Sequence, residues 1–256
     1  MSTSIPAGPS VLRRFWQNLF TYNWIFGLVL VILVGVPRFV IVLQANTNGN
    51  YKPVSLIFVF MWFAPFIFLN KSGRRGIGIR KPEQNHWLFY SFIAGIVFCS
   101  ITFLIAELFF KDTVSNWFVY ISRSYTANGK AFNGSEKNIY FIIYAITAMT
   151  FSPIGEELFY RGLVHGSFAK NGDEQKASRA DSLAFALTHL AHFGIVYISG
   201  SWQFLLLPSL LWVLFMYLTS RIFFYCKQKT GSILGAIFSH AGFNLAMMYF
   251  IFYHIF

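Results

Sequence analysis

Apolar runs follow one another along almost the whole chain, separated by short polar or basic clusters. At about 20 mostly apolar residues per membrane crossing, the pattern predicts seven spans, at 21–43, 53–69, 87–110, 139–165, 180–199, 203–224 and 231–255. The second is short for a crossing. The stretch from Lys111 to Lys137 differs: Trp117, Phe118 and Tyr120 stand among polar residues, and Asn128, Gly129, Asn133 and Gly134 follow. That pattern predicts an interfacial segment and then a loop. No linker or repeat interrupts the series, so residues 1–256 are expected to form a single integral membrane domain. Backbone polar groups in lipid must be satisfied within each segment. The expected fold is therefore all-α, a polytopic transmembrane helix bundle of about seven to eight spans. The first apolar run exceeds a signal-peptide core and lacks a small-x-small cleavage site, so it is expected to stay as an anchor.

Composition agrees. Hydrophobic residues make up 56% and charged residues 11%, against about a quarter charged in a soluble domain. The formal net charge of +11 would suggest nucleic acid as a partner of a soluble protein. Here the cations lie between apolar runs, where they act as topology signals and contacts to anionic lipid, so no nucleic-acid partner is expected. With the N-terminus in the cytoplasm, Arg13, Arg14, Lys71, Arg74, Arg75, Arg80, Lys81, Lys170, Lys176, Arg179, Arg221, Lys227 and Lys229 fall on the cytoplasmic side. Only Lys52, Lys111, Arg123, Lys130 and Lys137 fall outside, and Arg38 and Arg161 lie within spans. This bias predicts a plasma-membrane protein with a cytoplasmic N-terminus and an external C-terminus. The short, basic, Phe-rich chain has a bacterial look. Cys99 and Cys226 lie in apolar segments and read as small core residues rather than a disulfide or thiolate site.

Ionisable groups inside a span cost roughly 2.5–3.5 kcal/mol each on insertion scales, so each needs a partner or a function. They cluster in three spans: Glu156, Glu157 and Arg161 in the fourth, His189 and His192 in the fifth, His240 and Asn244 in the seventh. Glu157 and Arg161, four apart with the acid first, share a helix face and are expected to pair. Glu156 points about 100° away from Glu157 and is expected to stay unpaired, free for acid and base work. His240 and Asn244 project from one face, as do Phe185 and His189. Glu156, His189 and His240 each lie nine residues from the cytoplasmic end of their candidate spans, about 13 Å deep. Three polar centres are thus expected at one level near mid-membrane. Pro153 and Gly155 predict broken backbone beside Glu156, which is tolerated at membrane depth where it lines a wet cavity.

The run PIGEELFYRGL (Pro153 to Leu163) resembles the EExxxR motif of the CAAX protease and bacteriocin-processing family, formerly the Abi family. Phe185 to His189 fits its FxxxH motif and His240 to Asn244 its HxxxN motif. The segment TGSIL, Thr230 to Leu234, is similar to the usual lead-in to the last motif. The likeness covers about the last hundred residues, within a core at 139–255, and residues 1–110 supply additional spans without a motif. It implies an all-helical intramembrane endopeptidase of the glutamic type, acting on a peptide or membrane-protein substrate in the bilayer. By the likeness, Glu156 and His189 activate water, His240 and Asn244 stabilise the oxyanion, and Glu157, Arg161 and Phe185 support them. No cofactor or metal is implied.

Three further readings stay open. A zinc peptidase would use Glu156, His189 and His240 as ligands, although no HExxH is present. A non-catalytic peptide binder or bacteriocin self-immunity protein would keep the same polar cluster without hydrolysis. A proton-coupled transporter would need matched halves with paired broken helices, which the chain lacks. His165 and His192 are expected to be hydrogen-bonding links between helices. Substrate, any prenyl requirement and oligomeric state leave no trace in the sequence.

Overall fold

The structure, a computed structural model, describes residues 10–126, 132 and 134–256. The expected turn at Asn128, Gly129 and Asn133 lies outside the described residues. Among the described residues, five helices are long and apolar enough to cross a membrane. They are α1 (Trp24–Asn48), α3 (His86–Phe110), α5 (from Gly134–Glu156 on to Phe168), α7 (Leu206–Thr230) and α8 (Ile233–Ile255). Between them come a shorter apolar helix α2 (Lys52–Phe68), the short α4 (Trp117–Ser122) and α6 (Glu174–Thr188). The architecture is the helical membrane bundle expected, with one small hairpin of strands β1 (Ile195–Ile198) and β2 (Ser201–Phe204).

Two local expectations need correction. The segment 180–199 is not one continuous apolar helix: α6 begins earlier, among polar residues at Glu174, and gives way to a 3-10 turn at His189–Ala191. The chain then turns into the hairpin, whose register pairs Ile198 with Ser201. Ser199 and Gly200 both have positive φ, 49° and 82°, as a two-residue hairpin turn with the right twist requires. The aromatic residues of α4 do not lie on lipid. Trp117, Phe118 and Tyr120 are buried, and Trp117 donates to the Pro208 carbonyl at 3.1 Å while Tyr120 Oη accepts from Tyr197 N–H at 2.9 Å. They cap the bundle from inside. Cys99 and Cys226 are free and buried, as small core residues.

The turn before α8 fixes the last motif in place. Gly231 adopts a left-handed φ of 65° to end α7, and Ser232 then caps α8 by accepting from Leu234 N–H. The Ser232 hydroxyl also donates to the Arg80 carbonyl at 2.6 Å, and Ile233 N–H to the Gly78 carbonyl. The helix start is therefore tied to the α2–α3 connection. α8 packs against α3, α5 and α7. Against α3 the approach is backbone to backbone: a Cβ on Gly95 would meet the Ser239 carbonyl oxygen at 1.8 Å, and one on Gly242 the Phe92 carbonyl oxygen at 2.1 Å. Small residues at such crossings let membrane helices touch. Since His240 lies between these contacts, Gly242→Val is expected to cost at least the about 1–3 kcal/mol of an overpacked core and to lower the melting temperature in detergent. An unchanged melting temperature would show that the crossing is loose.

Candidate active site

α5 changes pitch where its acidic pair sits. It is α-helical to Glu156 and π-helical over Glu157–Val164, a deviation that recurs at functional sites. Pro153 stands three residues before the change. On its N-terminal side two carbonyls of α5 take side-chain donors, Phe151 from Trp62 Nε1 and Ala148 from Asn244 Nδ2, both at 2.8 Å. Gly155 lets α2 approach, since a Cβ there would meet Trp62 Cδ1 at 2.8 Å and the Phe58 carbonyl oxygen at 3.0 Å.

Glu156 and Glu157 face different partners. Glu156 is 1% exposed, and its Oε1 accepts from Arg38 Nη2 at 2.7 Å. It is therefore not the unpaired acid that the sequence suggested. Arg38, from α1, also donates through Nη1 to Thr188 Oγ1 at 3.1 Å and lies 3.4 Å from His192 Nε2. Oε2 of Glu156 has no hydrogen-bond partner among the described residues and lies 4.0 Å from His189 Nε2. The His189 ring is oriented by its other nitrogen, 2.7 Å from the Phe185 carbonyl. A carbonyl only accepts, so Nδ1 carries a proton and, in the neutral ring, Nε2 presents a lone pair.

Glu157 supports the last motif. Its Oε1 accepts from His240 Nδ1 at 2.8 Å, and its Oε2 is 3.2 Å from Arg161 Nε. The expected pairing of Glu157 with Arg161 is thus present, with His240 as a third member. Arg161 is fully buried and its guanidinium lies over the Phe185 ring, 4.1 Å from the centroid, a cation–π contact. His240 stacks on Phe223 at 4.7 Å. The Phe185 ring that carries Arg161 also packs on His189, with ring centroids 4.2 Å apart.

These side chains converge on one cavity of about 440 Å³. Glu156, His189, His240 and Asn244 all line it, together with Arg38 and His192. Glu157 and Arg161 do not. Besides its bond to Ala148, Asn244 Nδ2 lies 3.3 Å from Ser152 Oγ. His165 is elsewhere, with Nδ1 2.6 Å from Asp181 and Nε2 2.7 Å from Glu174. Among the described residues no three His, Cys, Asp or Glu side chains group as metal ligands.

Motif reasoning missed Arg38, Thr188 and His192 as site components. Arg38 did leave a signal: it is the one charged residue in the first apolar run, and a buried guanidinium in lipid demands an anion.

Residues 138–246 match the family model described as type II CAAX prenyl endopeptidase Rce1-like. The matched segment contains the acidic pair, His189 and the His240–Asn244 motif. No curated protein matches the chain, and no solved structure does.

Proposed function

We propose, from the premise that residues 138–246 place the chain in the Rce1-like family of type II CAAX endopeptidases, that it hydrolyses a peptide bond within the membrane using water activated by Glu156 and His189. The observation that carries this reading is the pair of acceptors, Glu156 Oε2 and His189 Nε2, 4.0 Å apart on two residues that line one cavity. One water molecule gives a hydrogen to each of two acceptors at that spacing. As the water oxygen attacks the substrate carbonyl, Glu156 takes its proton and later gives it to the departing amine. Arg38 holds the other carboxylate oxygen, which fixes Oε2 toward the water.

The developing oxyanion needs donors. His240 shares Nδ1–H with Glu157, so its Nε2 becomes a donor when the ring is cationic, a state that the Glu157 carboxylate balances. Asn244 Nδ2 gives one hydrogen to the Ala148 carbonyl at 2.8 Å and the other, in a longer bond of 3.3 Å, to Ser152 Oγ, and it is this second hydrogen that would turn to the oxyanion. Each such donor is worth about 3–4 kcal/mol in soluble proteases.

A zinc peptidase fits less well. A divalent ion on Glu156 would lie beside the Arg38 guanidinium, 2.7 Å from the same carboxylate, and like charges in low dielectric repel strongly. The test is cleavage of a mixed peptide library by the detergent-solubilised protein, with and without a strong zinc chelator. Unchanged product profiles are the expected outcome. Loss in chelator, restored by added zinc, would sink the metal-free mechanism, and no cleavage under any condition would favour a peptide-binding or immunity protein.

A further inference from the structure

Resting on the peptidase reading, we infer that the cavity takes its substrate from the cation-poor face of the membrane, the external one. Its substrate would then be a polypeptide segment presented outside the cytoplasm rather than a cytosolic tail.

Two independent observations meet here. The first is where the cavity opens. Its outer lining comes from one end of the bundle: Tyr51 and Lys52 at the α1–α2 turn, Ser55 one turn into α2, Ser124 after α4, and Thr147 on the first half of α5. Lys52, Ser55 and Thr147 are exposed. Toward the other end the lining stops at Glu156, Phe223 and His240. Beyond it lie the fully buried Arg161 and Leu163, and Lys227 donating to the Arg161 carbonyl. None of the cavity-lining residues comes from the connections 71–81, 170–179 or 227–232.

The second observation is charge. The connections at the blind end carry Lys71, Arg74, Arg75, Arg80, Lys81, Lys170, Lys176, Arg179, Lys227 and Lys229, with Arg13 and Arg14 on the same side. The end with the opening carries Lys52, Lys111, Arg123 and Lys137. All these connections are short, the regime in which Lys and Arg content sets orientation. The blind end is therefore cytoplasmic, and the opening is external. The helix directions agree: α1 leads outward to the turn that bears Lys52, and α5 runs inward past Thr147 to Glu156.

The test uses the full-length protein in the inner membrane of bacterial spheroplasts and a membrane-impermeant maleimide. Single variants Lys52→Cys and Ser55→Cys sit at the opening, Lys111→Cys marks the same face away from the cavity, and Lys176→Cys marks the opposite face. Lys111 is exposed, and the Lys176 side chain is 83% exposed. The parent protein is the control, because Cys99 and Cys226 are buried. Labelling of Lys52→Cys, Ser55→Cys and Lys111→Cys in intact spheroplasts, with Lys176→Cys labelled only after lysis, is expected. The reverse pattern, or labelling of Lys176→Cys without lysis, would overturn the assignment. So would labelling of Lys111→Cys but of neither variant at the opening. Since labelling needs no catalysis, it is independent of whether Glu156 supports cleavage. A second readout concerns the route: a bulky maleimide on Ser55→Cys, added from outside, is expected to abolish Glu156-dependent cleavage and spare the parent. Full cleavage after complete labelling would show that substrate arrives elsewhere.

Discussion

Glu156→Gln is expected to lower peptide cleavage by about 10²–10⁴-fold, the usual worth of a positioned general base, while the protein stays folded. Glutamine keeps an acceptor for Arg38 Nη2, which now stands 2.7 Å from Glu156 Oε1, and it fills the same space. What it loses is the second oxygen's capacity to take a proton from water. The size of the effect discriminates between functions. A protein that only binds peptide would keep its function through this isosteric change, whereas a hydrolase would fall to the residual rate that its oxyanion donors alone support. The measurement is a rate on a cleaved peptide, paired with a melting curve to show that the variant folds. Activity within a few-fold of the parent would contradict the role assigned to Glu156.

Arg38→Met is expected to have the largest effect on stability. Both partners of the Arg38–Glu156 pair are buried, with side chains 2% exposed. Removing one partner of such a pair strands the other charge and costs about 3–5 kcal/mol, whereas replacing both with apolar or neutral groups costs far less. The melting temperature in detergent should therefore fall sharply in Arg38→Met and recover in the double variant with Glu156→Gln. That coupling is what a double-mutant cycle reads. Thr188 and His192 lose contacts too, so recovery would be partial. A single variant as stable as the parent would show that the two side chains do not depend on each other.

Much of the site was legible because lipid makes polar residues conspicuous. Glu156, His189, His240 and Asn244 stand out as isolated polar groups in apolar runs, and their helical spacing indicates which share a face. Periodicity does not say which helices are neighbours. Arg38 lies 118 positions before its partner Glu156, so the pairing was invisible and Glu156 read as free. The hairpin was missed for a different reason: Ile195 to Ile198 is a short apolar run, and such a run fits a buried helix as well as a strand. The aromatic residues of α4 show a third limit. Trp117 and Phe118 beside polar residues look interfacial, but composition carries no direction, and their rings turn inward to pack on α7 and α8.

The most direct measurement expresses the wild-type protein and Glu156→Ala in one host and compares membrane-associated peptides by mass spectrometry. At least one peptide should be shortened in wild-type cells and full-length in the variant, and its new terminus would identify the bond that is cut. Matching peptide profiles, with both proteins present in the membrane and a peptide that the wild type cleaves in vitro supplied to each strain, would contradict hydrolysis by Glu156.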